Sequence, residues 1–186
     1  MRTRIAAIGA VVVLAVSVSG CDQGAEETAT TLPPVTVATA PAASAGGACI
    51  LWDWGFIEEN IGVRFSVAAS DQVDETSTCV VQTENGSWPD LTLSVVESTK
   101  ADADVFNDDR VPKKATKLKG LGKAAYRLNS AAAGTHGPVV EIGWLSEAEQ
   151  LQTLKFTFAK GAGDKTEVSS MNTGLLELAK AMDTTG

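Results

Sequence analysis

The sequence predicts an α+β fold: a mainly antiparallel sheet of about six or seven strands, packed by N-terminal, middle and C-terminal helices and held by one disulfide. Apolar residues recur at helical spacing near residue 50 and again near the C-terminus. Between these regions, short stretches alternate apolar and polar residues, as half-buried strands do. The strands follow one another too closely for the long crossovers that parallel strands need, so we expect hairpins with helices covering one face.

The folded domain is predicted to open with a short helix. Apolar residues at 50, 54, 57 and 61 share one helical face, Asp53 can cap the start, and Gly62 can end the helix. Alternating patterns then predict three strands, over 63–67, 78–83 and 91–95. Between the second and third strands, Asn85-Gly86 predicts a tight type I′ hairpin, because both residues tolerate a positive φ.

The second half of the chain is predicted to contain two helices and three strands. Residues 100–109 are acidic and helical in pattern, and Pro112 limits any extension. An amphipathic helix is predicted over 165–182, although Gly174 lowers its helical propensity. A tight turn over 117–122 and a loose loop over 129–138 separate three further strands, at 125–128, 140–144 and 154–158.

The N-terminus has the pattern of an export signal. Arg2 and Arg4 precede an uncharged, mostly apolar run over 5–18, which is shorter than the roughly 20 residues of a membrane-spanning helix. The run ends in Val18-Ser19-Gly20-Cys21, which resembles the lipobox of bacterial lipoproteins. This resemblance implies cleavage before Cys21, acyl chains such as palmitate on the mature N-terminal cysteine, and anchorage at the outer face of the plasma membrane.

Composition divides the rest of the chain into a tether and a domain. Residues 22–47 are rich in Ala, Thr and Pro and contain no aromatic residue, so they cannot bury enough apolar surface to fold. We therefore predict a signal peptide over 1–20, a lipidated cysteine and disordered tether over 21–47, and one α+β domain over 48–186.

Cys49 and Cys79 are the cysteines that remain, and an exported protein lies in a compartment that permits disulfides. We expect them to pair, which would stabilise the fold by roughly 3–4 kcal/mol. The alternative of a redox or metal-binding pair has little support, because C-x-x-C is absent and the chain has one histidine. The two cysteines, with the turn Gly120-Leu121-Gly122-Lys123-Ala124-Ala125, resemble small actinobacterial cell-envelope lipoproteins of a domain-of-unknown-function family. That resemblance implies an α+β fold with a disulfide and carries no functional residue.

Charge limits the classes of partner. A formal net charge of −8 argues against nucleic acid and against a polybasic contact with lipid, so membrane attachment would depend on Cys21. Seven of the 15 basic residues nevertheless follow one another within a short segment. They form a candidate docking patch for an envelope protein or an anionic cell-wall polymer, with a solvated loop and edge strand as the alternative. These residues are Arg110, Lys113, Lys114, Lys117, Lys119, Lys123 and Arg127.

No catalytic or metal-binding motif stands out. His136 has no partner that the sequence can place beside it, and G-x-S-x-G, S-x-x-K and H-E-x-x-H are all absent. Four carboxylates, Asp102, Asp104, Asp108 and Asp109, do not follow the spacing of a calcium loop and are better explained as the solvated face of a helix. We therefore expect no cofactor and a non-enzymatic role.

The tryptophans give one further candidate. Trp54 and Trp144 lie in apolar patterns and are predicted to be buried, whereas Trp52 and Trp88 are less clearly so. Trp88 follows a predicted hairpin tip, so it is either an exposed anchor for a partner or packed across its own hairpin. The sequence thus favours a lipid-anchored binding module. The alternative is a carrier or sensor of an apolar envelope ligand, and an unrecognised enzyme is the third and least favoured hypothesis.

Overall fold

The computed structural model describes residues 41–97 and 102–183, and these form the predicted α+β fold. One seven-stranded antiparallel sheet has the order β1-β2-β3-β7-β6-β5-β4, so the first and fourth strands lie at its edges. The strands are β1 (Val67–Val73), β2 (Thr76–Gln82), β3 (Asp90–Val96), β4 (Thr116–Leu118), β5 (Ala124–Ser130), β6 (His136–Leu145) and β7 (Leu151–Ala159).

Helix α1, Trp54–Ile61, has the predicted ends. The Asp53 side chain accepts a hydrogen bond from the Phe56 backbone N–H at 3.0 Å, which satisfies one of the free amides of the first turn. Gly62 ends the helix in a left-handed conformation, with φ of 70°, which costs glycine little.

The first hairpins differ from the prediction in position and in their turns. The strand predicted over 63–67 lies instead at Val67–Val73, and a turn with Asp74 at a φ of 51° connects it to β2. The prediction of a tight turn at Asn85-Gly86 is also wrong. The pair Gln82 and Asp90 is the one nearest the turn, so a loop over 83–89 connects β2 to β3. Pro89 has no N–H to donate to a ladder, which explains why the loop extends to it.

The two longer helices, α1 and α3 (Lys165–Asp183), pack on one face of the sheet and enclose the main core. Gly174 lies in the middle of α3 against the backbone of Asn60, where a Cβ would collide with the Asn60 carbonyl oxygen. This glycine therefore stands in a continuous helix because it lets α1 approach closely. The large, fully buried core residues include Leu93, Ile142, Trp144, Leu154, Phe156 and Leu175.

The middle helical segment packs against the opposite face, so the expectation of helices on one face only is wrong. It consists of α2 (Ala103–Val105), capped by Asp102, and a π-helical turn over Phe106–Arg110. Phe106, Tyr126 and Leu145 form a second, small core cluster beneath it. Tyr126 lies directly over Gly143, where any Cβ would meet its ring, so this glycine makes room for the cluster.

The fold begins before the predicted boundary at residue 48. Two 3-10 helical turns, Ala42–Ala45 and Gly47–Leu51, precede α1, and Ala42 is buried in the main core. Cys21, the predicted signal and most of the predicted tether lie outside the described residues. In the part of the chain that the structure describes, no helix is both long and apolar enough to cross a membrane.

Candidate ligand-binding site

An open groove of about 410 Å³ lies where α1 ends and α3 begins, at one end of the layer between helices and sheet. Its floor is aromatic, because Phe156 and Phe158 of β7 lie edge to face with ring centroids 4.8 Å apart. Met171 of α3 completes the floor and is itself almost fully buried. A cavity of this size and apolar character fits a small ligand.

The close contact between α1 and α3 fixes one limit of the groove. Gly174 meets the Asn60 backbone, and one turn earlier in α3 the side chains of Met171 and Ser170 line the groove instead. Ile61, the last residue of α1, and Val63, which follows the helix, provide the apolar side wall. The same glycine that closes the core thus determines where the open space begins.

The polar rim is built by the first turn of α3. Asp164 caps this helix: its Oδ1 accepts from the N–H groups of Thr166 and Glu167 at 2.8 and 2.9 Å. In return, Glu167 Oε2 accepts hydrogen bonds from the backbone N–H groups of Gly163 and Asp164 at 2.7 and 2.9 Å. This reciprocal capping box holds the Glu167 carboxylate at the edge of the groove.

Asn60 and Ser170 are the other polar residues of the rim. The Asn60 side chain donates from Nδ2 to the Phe56 carbonyl oxygen at 2.8 Å, so its remaining acceptor is Oδ1. None of the eleven described residues that line the groove is basic. The site therefore offers an apolar floor and a rim of oxygen acceptors.

Pro89 lines the groove, and its chain neighbours Trp88 and Asp90 do not; His136 contacts Trp88. The Trp88 and His136 rings lie 5.4 Å apart between centroids, and the candidate anchor Trp88 is half-buried. Trp88 thus contacts the first residue of β6. His136 begins β6 instead of lying in the predicted loop, and its Nδ1 lies 2.6 Å from the Gly137 carbonyl oxygen.

Asp90 is a buried carboxyl group at this end of β3. Burial raises the pKa of Asp90, while a hydrogen bond with the Thr157 side chain and the charges of Lys155 and His136 act in the opposite direction. Its Oδ1 is buried and has no hydrogen-bond partner among the described residues. Burial is the largest of these effects, so the neutral form of Asp90 is favoured more than that of an exposed carboxyl group.

The small cluster under the middle segment contains one strong polar contact. The Tyr126 hydroxyl donates to Glu141 Oε1 at 2.8 Å. Burial, together with the charge of Glu141 and this hydrogen bond, raises the pKa of the Tyr126 phenol. The phenol thus stays protonated and acts as a donor to Glu141.

The predicted disulfide is confirmed: Cys49 and Cys79 are bonded, with their Cα atoms 5.0 Å apart. The bond joins the second 3-10 turn to β2 and is completely buried. It therefore has a structural position in the core.

Of the seven basic residues of the candidate docking patch, six are exposed and Arg127 is half-buried. Lys117 lies on the edge strand β4, whereas Arg110 lines a small pocket together with residues of β3 and β7. Lys117 pairs with Tyr126 and Thr116 with Arg127, so the Lys117 and Arg127 side chains lie on opposite faces. Lys123 forms an ion pair with Glu149 at 2.9 Å. The basic side chains of the candidate docking patch therefore do not all lie on one face of the sheet.

The acidic segment has a local role. Asp102 caps α2 by accepting from the Val105 N–H at 2.8 Å, and Asp104, Asp108 and Asp109 are exposed. Within the described residues, no group of three or more His, Cys, Asp or Glu side chains is placed to hold a metal ion.

The sequence prediction missed the groove. Asp164 and Glu167 have the spacing of a capping box, which was a readable signal for the start of α3. The pairing of Asn60 with Gly174 had no such signal, because it depends on how two distant helices pack. Comparison of the chain with protein-family models, with curated proteins and with solved structures finds no match.

Proposed function

We propose that this protein is an exported lipoprotein of the cell envelope, anchored through lipid on Cys21, whose domain is a non-enzymatic module that binds a small ligand with an apolar part. The observation that supports the binding role is the groove at the α1–α3 end of the core, with Phe156, Phe158 and Met171 as its floor. The lipobox pattern at residues 18–21 supports the location. The resemblance to actinobacterial envelope lipoproteins also supports the location.

The expected affinity follows from the apolar area that the groove can cover. Each methylene removed from water contributes about 0.8 kcal/mol, so a chain of about eight carbons contributes roughly 6 kcal/mol. That free energy corresponds to a dissociation constant in the tens of micromolar, before the cost of ordering the ligand. The site suits reversible binding of a carrier or sensor.

Met171 provides a direct probe of occupancy. We would label the methionine methyl groups of the full chain with carbon-13, reconstitute the protein in nanodiscs, and titrate 1-hexanol while recording NMR spectra. The Met171 signal should shift in a saturable manner, whereas Met182, at the other end of α3, should shift less. An unshifted Met171 signal at saturating hexanol would overturn the binding role.

Two neighbouring serines provide matched variants. Ser170 and Ser169 are both exposed on α3, but only Ser170 lines the groove. Ser170→Phe should obstruct the groove and weaken hexanol binding at least about tenfold, while Ser169→Phe adds the same ring elsewhere and should leave the affinity unchanged. Equal affinities of the two variants would count against the groove as the site.

The location has a separate test. Cys21→Ala removes the sulfur that the lipobox would acylate, so the variant should pass from the membrane fraction to the soluble fraction of the envelope. Fractionation of cells followed by immunodetection measures this change. Unchanged retention of Cys21→Ala in the membrane would contradict the lipid anchor. That result would not bear on the proposal that the groove binds a ligand.

A further inference from the structure

We infer that the ligand of the α1–α3 groove carries an uncharged or cationic head that donates hydrogen bonds, and that the groove binds an anionic head less tightly. This inference rests on the proposed function, because it names the chemical class of ligand for the same groove. It follows from the chemistry of the rim, which consists of Glu167, Asn60 and Ser170.

Glu167 is the charged group of the rim, and its position is fixed. Its Oε2 accepts from the backbone N–H groups of Gly163 and Asp164, so the carboxylate cannot turn away without uncapping α3. Oε1 is then left to face a ligand head as an anionic acceptor. A fatty-acid carboxylate or a phosphate placed here would meet a like charge, which weakens binding.

The start of a helix normally attracts anions through its free N–H groups. In α3 those groups are already engaged, since Asp164 Oδ1 accepts from both Thr166 and Glu167. The two carboxylates of the capping box thus occupy the position that an anionic ligand would take. No lysine or arginine is among the described residues that line the groove, so nothing there compensates an added negative charge.

The remaining rim residues favour a donor. Asn60 uses Nδ2 to bond the Phe56 carbonyl, which leaves Oδ1 as its acceptor, and the Ser170 hydroxyl can accept as well as donate. An alcohol or ammonium head can donate to these oxygens while its apolar chain lies on Phe156 and Phe158. The groove therefore fits a neutral or cationic amphiphile.

The test compares three six-carbon probes in the Met171 NMR titration at pH 7: 1-hexanol, hexylamine as its cation, and hexanoate. Hexanol and hexylammonium should bind at least about fivefold more tightly than hexanoate. This difference in affinity should decrease in high salt, because salt screens the charge of an exposed rim. If no probe shifts Met171, the proposed function fails. If all three bind equally, the groove binds ligands but the selectivity inferred here is wrong.

Glu167→Gln isolates the charge. Glutamine can still accept from the Gly163 and Asp164 N–H groups, so the capping box is retained. This variant should strengthen hexanoate binding at least about threefold, because it removes the like charge at the rim. Glu177→Gln is the matched control, because Glu177 is exposed on the same helix, pairs with Lys180 and does not line the groove. Identical hexanoate affinities of the two variants would overturn the role of Glu167.

Discussion

The two faces of the sheet are built differently. The face under α1 and α3 carries a continuous apolar core, with Leu154 and Leu175 fully buried between the sheet and the helices. The opposite face carries rows of polar side chains, such as the row in which Lys155 of β7 lies between Thr92 and Glu141. Among the residues that the structure describes, the middle segment covers part of this second face, over a small cluster.

As a result, the residues that stabilise the fold and bind the ligand lie on one face of the sheet, and the buried groups that make stability depend on pH lie on the other. The groove is an unfilled end of the main core, so the face that stabilises the fold also forms the site. The buried groups with raised pKa values, Asp90 and Tyr126, lie on strand positions that point to the other face. Ligand binding and titration of the fold should therefore respond to different substitutions.

The largest expected difference between the two faces is in the stability lost when a buried leucine on each is replaced by alanine. Leu175 and Leu145 are both fully buried, Leu175 in the main core and Leu145 in the small cluster beside Phe106. Leu175→Ala should lower the free energy of unfolding by about 4 kcal/mol, because rigid helices surround the cavity that it leaves. Leu145→Ala should cost about 2 kcal/mol, since the short middle segment can settle into the space.

Urea unfolding followed by tryptophan fluorescence measures both values. Hydrogen exchange of the amides in Phe106–Arg110 adds a local control, because Leu145→Ala should accelerate exchange there while Leu175→Ala at low denaturant should not. Equal losses of stability for the two variants would show that the small cluster is as constrained as the main core, and the comparison of the faces would fail.

The contrast also explains how much of the fold could be predicted from sequence. Periodicity placed both longer helices and most strands, and the predicted cap at Asp53 is a local signal that the structure confirms. The tight turn predicted at Asn85-Gly86 failed because Pro89, a few residues later, delays strand pairing. Local patterns succeed where a residue acts on its own neighbours.

The candidate site was less predictable because it depends on contacts between distant residues. Gly174 looked like a weakness of α3, yet it is the residue that brings α1 into contact. The tilted ring contact between Trp88 and His136 and the burial of Asp90 arise from strand order, which could not be read from the sequence. Neither the side of the sheet that the middle segment covers nor the groove had a sequence signal.

Asp90 allows a smaller and sharper test of the second face. Its folded-state pKa is raised above the ordinary value of 3.8, so the folded state binds this proton more tightly than the unfolded chain does. The stability that the proton provides is complete below pH 3.8 and is lost as pH rises through the folded-state pKa. Asp90→Asn removes the buried charge, so it should be more stable than the natural protein at pH 7 and lose that advantage toward pH 3.

Urea titrations at pH 3, 5 and 7 measure this difference, with Asp108→Asn as the matched control because Asp108 is exposed. Lys155 and His136 are the charged residues whose interactions lower the pKa of Asp90, and both variants retain them. The advantage of Asp90→Asn should leave hexanol binding in the groove unaffected, since Asp90 does not line it. A gain that persists at pH 3 would assign the effect to the amide rather than to the lost charge, and a change in hexanol affinity would show that the two faces are coupled.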